Sequence, residues 1–154
     1  MEHYPYFPLF TDLSGKRIMI VGGGNIAARR ALTLLDFTES LTVVSPDLHP
    51  DLEPFVQAGR IVWKRNKYDP ADLRGADYVL AATDDGSVND EIYAHCKAQS
   101  IPVNICTDHT KCDFLFPGIA RKGNAVVGVT SGGTDHAGVR DALKQIRTLL
   151  DKLF

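Results

Sequence analysis

Two spacings of apolar residues alternate along this chain. Short, nearly unbroken apolar runs have the form of strands buried on both faces, and between them apolar positions recur at helical intervals. The first run, within residues 17–21, stops at three glycines, and the pattern resumes with helical spacing at Ile26, Ala27, Ala31 and Leu34. Further strands are predicted at 41–45, 60–64, 78–82 and 101–106, with helical segments over 52–58, 69–73 and 85–99. In the last of these, Val88, Ile92 and Cys96 share one stripe. Such alternation predicts an α/β fold: a Rossmann-like, doubly wound parallel sheet with helices on both faces.

Past residue 112 the pattern changes. Residues 114–121 and 125–130 read as two strands joined by a turn at Lys122-Gly123-Asn124, and a helix is predicted over 135–153. Val139, Leu143, Ile146 and Leu150 form its apolar stripe. The expected division is a sheet domain over 1–112 and a strand-pair and helix extension over 113–154. Residues 1–10, rich in aromatics and proline, are expected to lie over the first strand.

Composition narrows the function classes. A chain of 154 residues suits one ordinary domain with a small extension. Its formal net charge of -2 gives no support to nucleic-acid binding. No apolar run approaches the roughly 20 residues of a membrane span, and no basic segment followed by an apolar one opens the chain. With three cysteines, an odd number, free thiols in a reducing cytoplasm are expected.

The glycines supply the first candidate chemistry. Gly22, Gly24 and Ala27 occupy the three small positions of G-x-G-x-x-[GA] between a strand and a helix. Gly22 allows the turn, Gly24 lets the backbone approach a pyrophosphate, and Ala27 lets the helix pack closely. The helix N-terminus that follows then offers free N–H groups to phosphates. Glycine-rich turns also serve tight packing, and both readings stand at this point.

Other segments fall where ligands of open α/β sheets bind. Ser45-Pro46-Asp47 ends the second strand, and its hydroxyl and carboxylate suit ribose hydroxyls. No arginine follows immediately to hold a 2′-phosphate, which favours NAD over NADP. A solvated turn capped by the same residues is the alternative. After the fourth strand, Thr83 suits a cofactor ribose or phosphate and Asp84 the cofactor, while a helix cap by Asp84 or Asp85 is the alternative. After the fifth, Asp108 and His109 are the candidate proton-transfer residues. Cys106, His109 and Cys112 match no common zinc spacing, so no metal site is expected. Among Arg29, Arg30, Lys111, Arg121, Lys122 and Arg140, the last is the preferred anchor for an anionic substrate, beside the Ser131-Gly132-Gly133 turn.

Taken in order, these segments resemble the precorrin-2 dehydrogenase family, which includes the N-terminal module of siroheme synthases and the bifunctional dehydrogenase–ferrochelatases. The resemblance rests on Tyr6-Phe7-Pro8-Leu9-Phe10, the glycine turn through Ala27, Val43-Val44-Ser45-Pro46-Asp47 and Ala81-Ala82-Thr83-Asp84-Asp85. Val88-Asn89, Val103-Asn104, residues 112–117 and Ser131-Gly132-Gly133 complete it. It implies NAD-dependent oxidation of precorrin-2 to sirohydrochlorin, with insertion of ferrous iron in many members. By position, Asn25 and Ile26 would meet the pyrophosphate, and Pro46 and Asp47 the adenosine ribose.

The family's important aspartate falls at Thr107 or Asp108, of which only Asp108 can act as a base. Asn104, Ser131, Gly132 and Arg140 are the expected substrate contacts. A homodimer through the extension is implied as well. The family commonly has Ser-Pro near residues 134–137, where this chain carries Asp135 and His136, and it continues into a further helical region beyond the position of Phe154. Both departures bear on iron insertion more than on oxidation. A non-catalytic NAD-binding redox sensor is the alternative function.

Overall fold

A computed structural model describes residues 4–154. The chain divides into two compact units, residues 12–114 and residues 4–11 together with 115–154. The larger unit holds β1 (Ile18–Val21), β2 (Leu41–Val44), β3 (Ile61–Lys64), β4 (Tyr78–Ala81) and β5 (Val103–Ile105). These pair in parallel in the order β3-β2-β1-β4-β5. The chain therefore winds outward from β1 to β3, then returns to the other side of β1 to lay down β4 and β5. That reversal puts a crevice beyond the carboxyl ends of β1 and β4, the usual ligand position in such sheets.

Each crossover is helical, through α1 (Asn25–Leu34), α2 (Glu53–Gln57) and α3 (Gly86–Ala98), with 3₁₀ turns at Pro50–Leu52 and Pro70–Leu73. All of β1 is buried, as the unbroken run Ile-Met-Ile-Val requires of a central parallel strand. The buried face of α1 is Ala27, Ala28, Ala31 and Leu34, small enough for the helix to lie close to the sheet. Ile26, expected on that face, lies off it and is 37 % exposed. On the other side of the sheet α3 buries Ile92 and Cys96 among Met19, Val79, Val103 and Ile105.

The smaller unit pairs β6 (Gly118–Lys122) with β7 (Ala125–Val129) antiparallel, and α4 (His136–Leu153) packs on them through Val139, Leu143, Ile146 and Leu150. A Cβ at Gly118 would stand 2.5 Å from a Leu143 methyl, so glycine lets the helix lie directly on β6. The apolar stripe of α4 is thus used within its own unit.

Two expectations need correcting here. β6 starts at Gly118 and not at 114, because its register with β7 begins at the Gly118–Val129 pair, after Pro117, which has no N–H to give a ladder. Residues 4–11 belong to the unit of β6, β7 and α4, where the Tyr6 ring lies against Gly132, and Phe7 is 86 % exposed. Residues 1–3 of that expectation lie outside the described residues. No helix among the described residues is long and apolar enough to cross a membrane.

Candidate dinucleotide site

The glycine turn leaves the carboxyl end of β1 with its backbone pinned from both sides. Gly22 N–H donates to Val44 O at 2.9 Å, and Ala82 N–H donates to Val21 O at 2.8 Å. Gly22 has φ +122, and a Cβ there would collide with the Ala82 carbonyl. A Cβ at Gly23 would collide with the Asp47 carbonyl and stand 2.6 Å from Ser45 Oγ. Tight packing therefore accounts for the first two glycines.

It does not account for the third. Nothing lies within 4 Å of a Cβ built on Gly24, and α1 begins there with no side-chain cap. The first N–H to find a helical partner is that of Ala28, on Gly24 O at 2.9 Å. The earlier N–H groups, at Asn25, Ile26 and Ala27, have none within the helix, and the dipole adds a partial positive charge. An open backbone cradle, a bare helix N-terminus and a sheet switch point together fit a dinucleotide pyrophosphate.

The end of β2 divides the roles that the sequence gave to Ser45, Pro46 and Asp47. Pro46 and Asp47 are exposed. Ser45 is 4 % exposed, with its hydroxyl beneath Gly23 and without a hydrogen-bond partner in the structure. The expected ribose contact through Ser45 is thus blocked by the close approach of Gly23, and Asp47 is the accessible acidic group. Beyond it, His49 Nδ1 accepts from Asp51 N–H at 3.2 Å, which leaves Nε2–H to donate to Asn25 Oδ1 at 3.0 Å. The loop after β2 is thereby tied to the first residue of α1.

Beyond β4, Asp85 is the helix cap, accepting from the N–H groups of Ser87 and Val88, and the Ser87 hydroxyl holds its carboxyl below the usual range. Asp84 is exposed. Thr83 Oγ1 donates to Asn89 Oδ1 at 2.7 Å, while Asn89 Nδ2 donates to Thr83 O at 3.1 Å and to Thr107 Oγ1 at 3.3 Å. Asn89 is 2 % exposed. Apolar periodicity passes over it, although its spacing to Ile92 and Cys96 sets it on the buried face of α3.

Residues 106–114 fold back along β5, an edge strand, and their side chains occupy its open backbone groups. Asp113 N–H donates to Val103 O at 2.9 Å, and Val103 N–H donates to Asp113 Oδ2 at 3.0 Å. Burial pushes the Asp113 carboxyl up, but the bonds from Lys97 Nζ (2.6 Å) and Val103 N–H outweigh it, and the net direction is down. Cys112 Sγ lies 3.3 Å from Ile105 N. Asn104 is 4 % exposed and spends its amide on Phe114 O at 2.9 Å. A buried brace for the loop, it is not presented as the substrate contact the sequence suggested.

Asp108 heads the 3₁₀ turn His109–Lys111 inside this loop. Its Oδ1 accepts from Thr110 Oγ1 at 2.6 Å and from Thr110 N–H at 3.0 Å. The Thr110 hydroxyl, then its N–H, holds the Asp108 carboxyl below the usual range, so it is ionised at neutral pH. Lys111 Nζ is bound to Asp90 Oδ1 at 2.6 Å and stands 3.7 Å from Asp108 Oδ2. Burial raises the thiols of Cys96 (to about 11), Cys106 and Cys112. Among the described residues no three His, Cys, Asp or Glu side chains gather as a metal-holding group.

The structure therefore brings Gly22, Gly24, Asn25, Ile26, Asp47, Thr83, Asp84 and Asp108 to one edge of the sheet. The expected substrate residues Ser131, Gly132 and Arg140 belong to the other unit. There Ser131 Oγ accepts from Asp135 N–H at 2.8 Å, Gly132 has φ +68, and Arg140 is exposed on α4. A depression lined by Leu35, Thr38 and Arg60, away from the glycine turn, has less to offer a ligand. The Arg60 guanidinium is already bonded to the carbonyls of Leu35, Thr38 and Glu39.

Known proteins are similar to this chain in sequence and in fold. The chain is 38% identical over 128 residues to siroheme synthase of Photorhabdus laumondii, covering 83% of this chain and 27% of that protein. It is 39% identical over 143 residues to siroheme synthase of Methylobacillus flagellatus, covering 93% of this chain and 31% of that protein. It thus spans about three tenths of the length of these curated relatives. Among solved structures it is similar to "SirC, precorrin-2 dehydrogenase", with a TM-score of 0.79 at 23% identity over 94% of this chain and 71% of that one. Residues 9–118 match the family described as "Putative NAD(P)-binding". That match runs through all five parallel strands and the open glycine turn, and the chain belongs to this NAD(P)-binding family.

Proposed function

We propose that this chain oxidises precorrin-2 to sirohydrochlorin with NAD, as the dehydrogenase part of siroheme biosynthesis. The observation that carries the reading is the unfilled cradle at Gly24 and the bare N-terminus of α1, at the same sheet edge as the ionised Asp108. The printed names of the relatives, siroheme synthases, and of the structural neighbour, a precorrin-2 dehydrogenase, support the choice of substrate.

In this reading the backbone of Gly22, Gly24, Asn25 and Ile26 holds the pyrophosphate. Asp47 accepts from the adenosine ribose, and its negative charge disfavours a 2′-phosphate, which selects NAD over NADP. Thr83 and Asp84 flank the cofactor from the end of β4. When bound, the nicotinamide accepts a hydride from the reduced macrocycle. Asp108 takes the accompanying proton on its carboxylate, with Oδ2 the oxygen not committed to Thr110. Arg140 and the Ser131-Gly132 turn serve the macrocycle's carboxylates, the unit of residues 12–114 acts as the NAD-binding domain, and residues 115–154 carry a homodimer contact. The exposed Leu149, Leu153 and Phe154 of the α4 end support that contact.

The test is to mix purified protein with NAD and precorrin-2 and follow NADH absorbance. NADH formation that NADP does not match is expected. Binding of NAD without its reduction would instead favour a non-catalytic redox sensor. For iron insertion, which the resemblance also implies, sirohydrochlorin and ferrous iron are supplied to the parent and to Asp108→Ala. An unchanged insertion rate in the variant would remove Asp108 from that step.

A further inference from the structure

Asn89 is a buried polar side chain whose hydrogen-bonding capacity is spent on two loops and not on its own helix. Its amide gives one hydrogen to Thr83 O (3.1 Å) and one to Thr107 Oγ1 (3.3 Å), and its oxygen takes the Thr83 hydroxyl (2.7 Å). Turned over, the amide would set its oxygen against the Thr83 carbonyl and lose that bond, so this arrangement fixes its orientation. The partners are equivalent points on neighbouring strands. Thr83 and Thr107 each follow by two the paired residues Ala81 and Ile105, the last step of the β4–β5 ladder. Asn89 thus continues that ladder one rung past the sheet, with a side chain in place of a strand.

We propose that Asn89 is a positioning residue for the oxidation, fixing the cofactor-facing end of β4 against the loop that carries Asp108; this rests on the dehydrogenase reading above. The amide bonds Thr83, which Asp84 follows in the chain, and Thr107, which Asp108 follows. The other ties of this loop are of different kinds: Cys106 N–H donates to Ala81 O at 2.9 Å, a backbone bond, Lys111 binds Asp90 on α3, and the Asp108 carboxylate is held by Thr110 inside its own loop. Without Asn89, Asp108 keeps its charge and its local turn but loses its register against the β4 end. Proton transfer and hydride transfer must occur in one geometry, so a small displacement is felt in the rate and not in cofactor affinity.

Three variants of the full chain test this. Thr107→Val removes one acceptor and nothing from the core, Asn89→Asp keeps the shape and loses both donors, and Thr107→Ser returns the hydroxyl. NAD affinity is measured by calorimetry, turnover by NADH formation from precorrin-2, and the staple itself by amide hydrogen exchange over residues 106–112. In Thr107→Val, kcat is expected to fall about tenfold while KM and NAD affinity stay within about twofold of the parent. Exchange over 106–112 rises in Thr107→Val and Asn89→Asp, and Thr107→Ser restores both kcat and protection. A lower melting temperature with parental kcat in Thr107→Val would make Asn89 a fold brace only and overturn the proposal, as would unchanged exchange. A parent protein that yields no NADH overturns the dehydrogenase reading itself, while exchange still separates an intact staple from an absent one.

Discussion

The turn after β1 and the loop after β5 sit at the same sheet edge and are built on opposite plans. At the turn, side chains are withdrawn: Gly24 faces open space, α1 has no cap, and the polar groups on offer belong to the backbone. In the loop, side chains do the holding. Asp113, Asn104 and Cys112 close the edge of β5, Thr110 holds Asp108, and Lys111 holds Asp90. The difference teaches that a surface left bare and a surface tied down serve one site in different ways. A pyrophosphate is bound by many weak backbone donors that need only be accessible. A proton acceptor is a single group, and its value lies in where it is held.

Substitutions at the turn are the strongest way to break this contrast. In Gly22→Ala the new methyl meets the Ala82 carbonyl from a backbone at φ +122. Urea unfolding should show a loss of about 3 kcal/mol, with NAD binding lost alongside it. Gly24→Ala separates the two effects, because the methyl enters empty space. Stability should fall by about 1 kcal/mol or less, and NAD affinity by calorimetry should fall about tenfold, as when one hydrogen bond to a charged group is lost. Parental affinity in Gly24→Ala would mean that no phosphate comes close to this residue.

The loop is tested more gently through pH. The Thr110 hydroxyl is the largest contributor to the lowered Asp108 pKa, so the parent carboxylate stays ionised well into acid and turnover should hold there. Thr110→Val removes that donor, raises the pKa, and moves the acid limb of kcat/KM to higher pH; an unmoved limb would assign the proton to another group. Smallest of all is Ser45→Ala. Its buried hydroxyl has no partner, so removing it should leave stability unchanged or raise it by about 1 kcal/mol, with NAD affinity within about twofold. A clear loss of affinity would restore Ser45 to the ribose site.

Legibility in the sequence followed the range of the interactions involved. The central strands stand out because strands covered on both faces must be apolar throughout, as Ile18–Val21 and Tyr78–Ala81 are. The glycine turn stands out too, though the separate reasons for its three glycines emerge only when Ala82, Asp47 and Ser45 are seen behind them. What stayed hidden depends on partners distant in sequence. Ser45 and Asn104 carry the polar groups expected of ligand contacts, yet the approach of Gly23 buries one and the returning loop claims the other. Asn89 enters the sequence reading only within the Val88-Asn89 match and without a role, since a pattern built on apolar residues cannot register an amide that belongs in the core.

The tether between His49 and Asn25 has a consequence for anyone wishing to redesign the coenzyme preference. On the proposed reading, the nucleoside side beyond β2 and the diphosphate side at α1 meet at one imidazole, which bonds Asn25 and accepts from Asp51 N–H. Exchanging Asp47 for a basic residue would alter the same loop that His49 ties to Asn25. A successful switch of preference would therefore keep His49 in place, or replace it by a side chain that still reaches across.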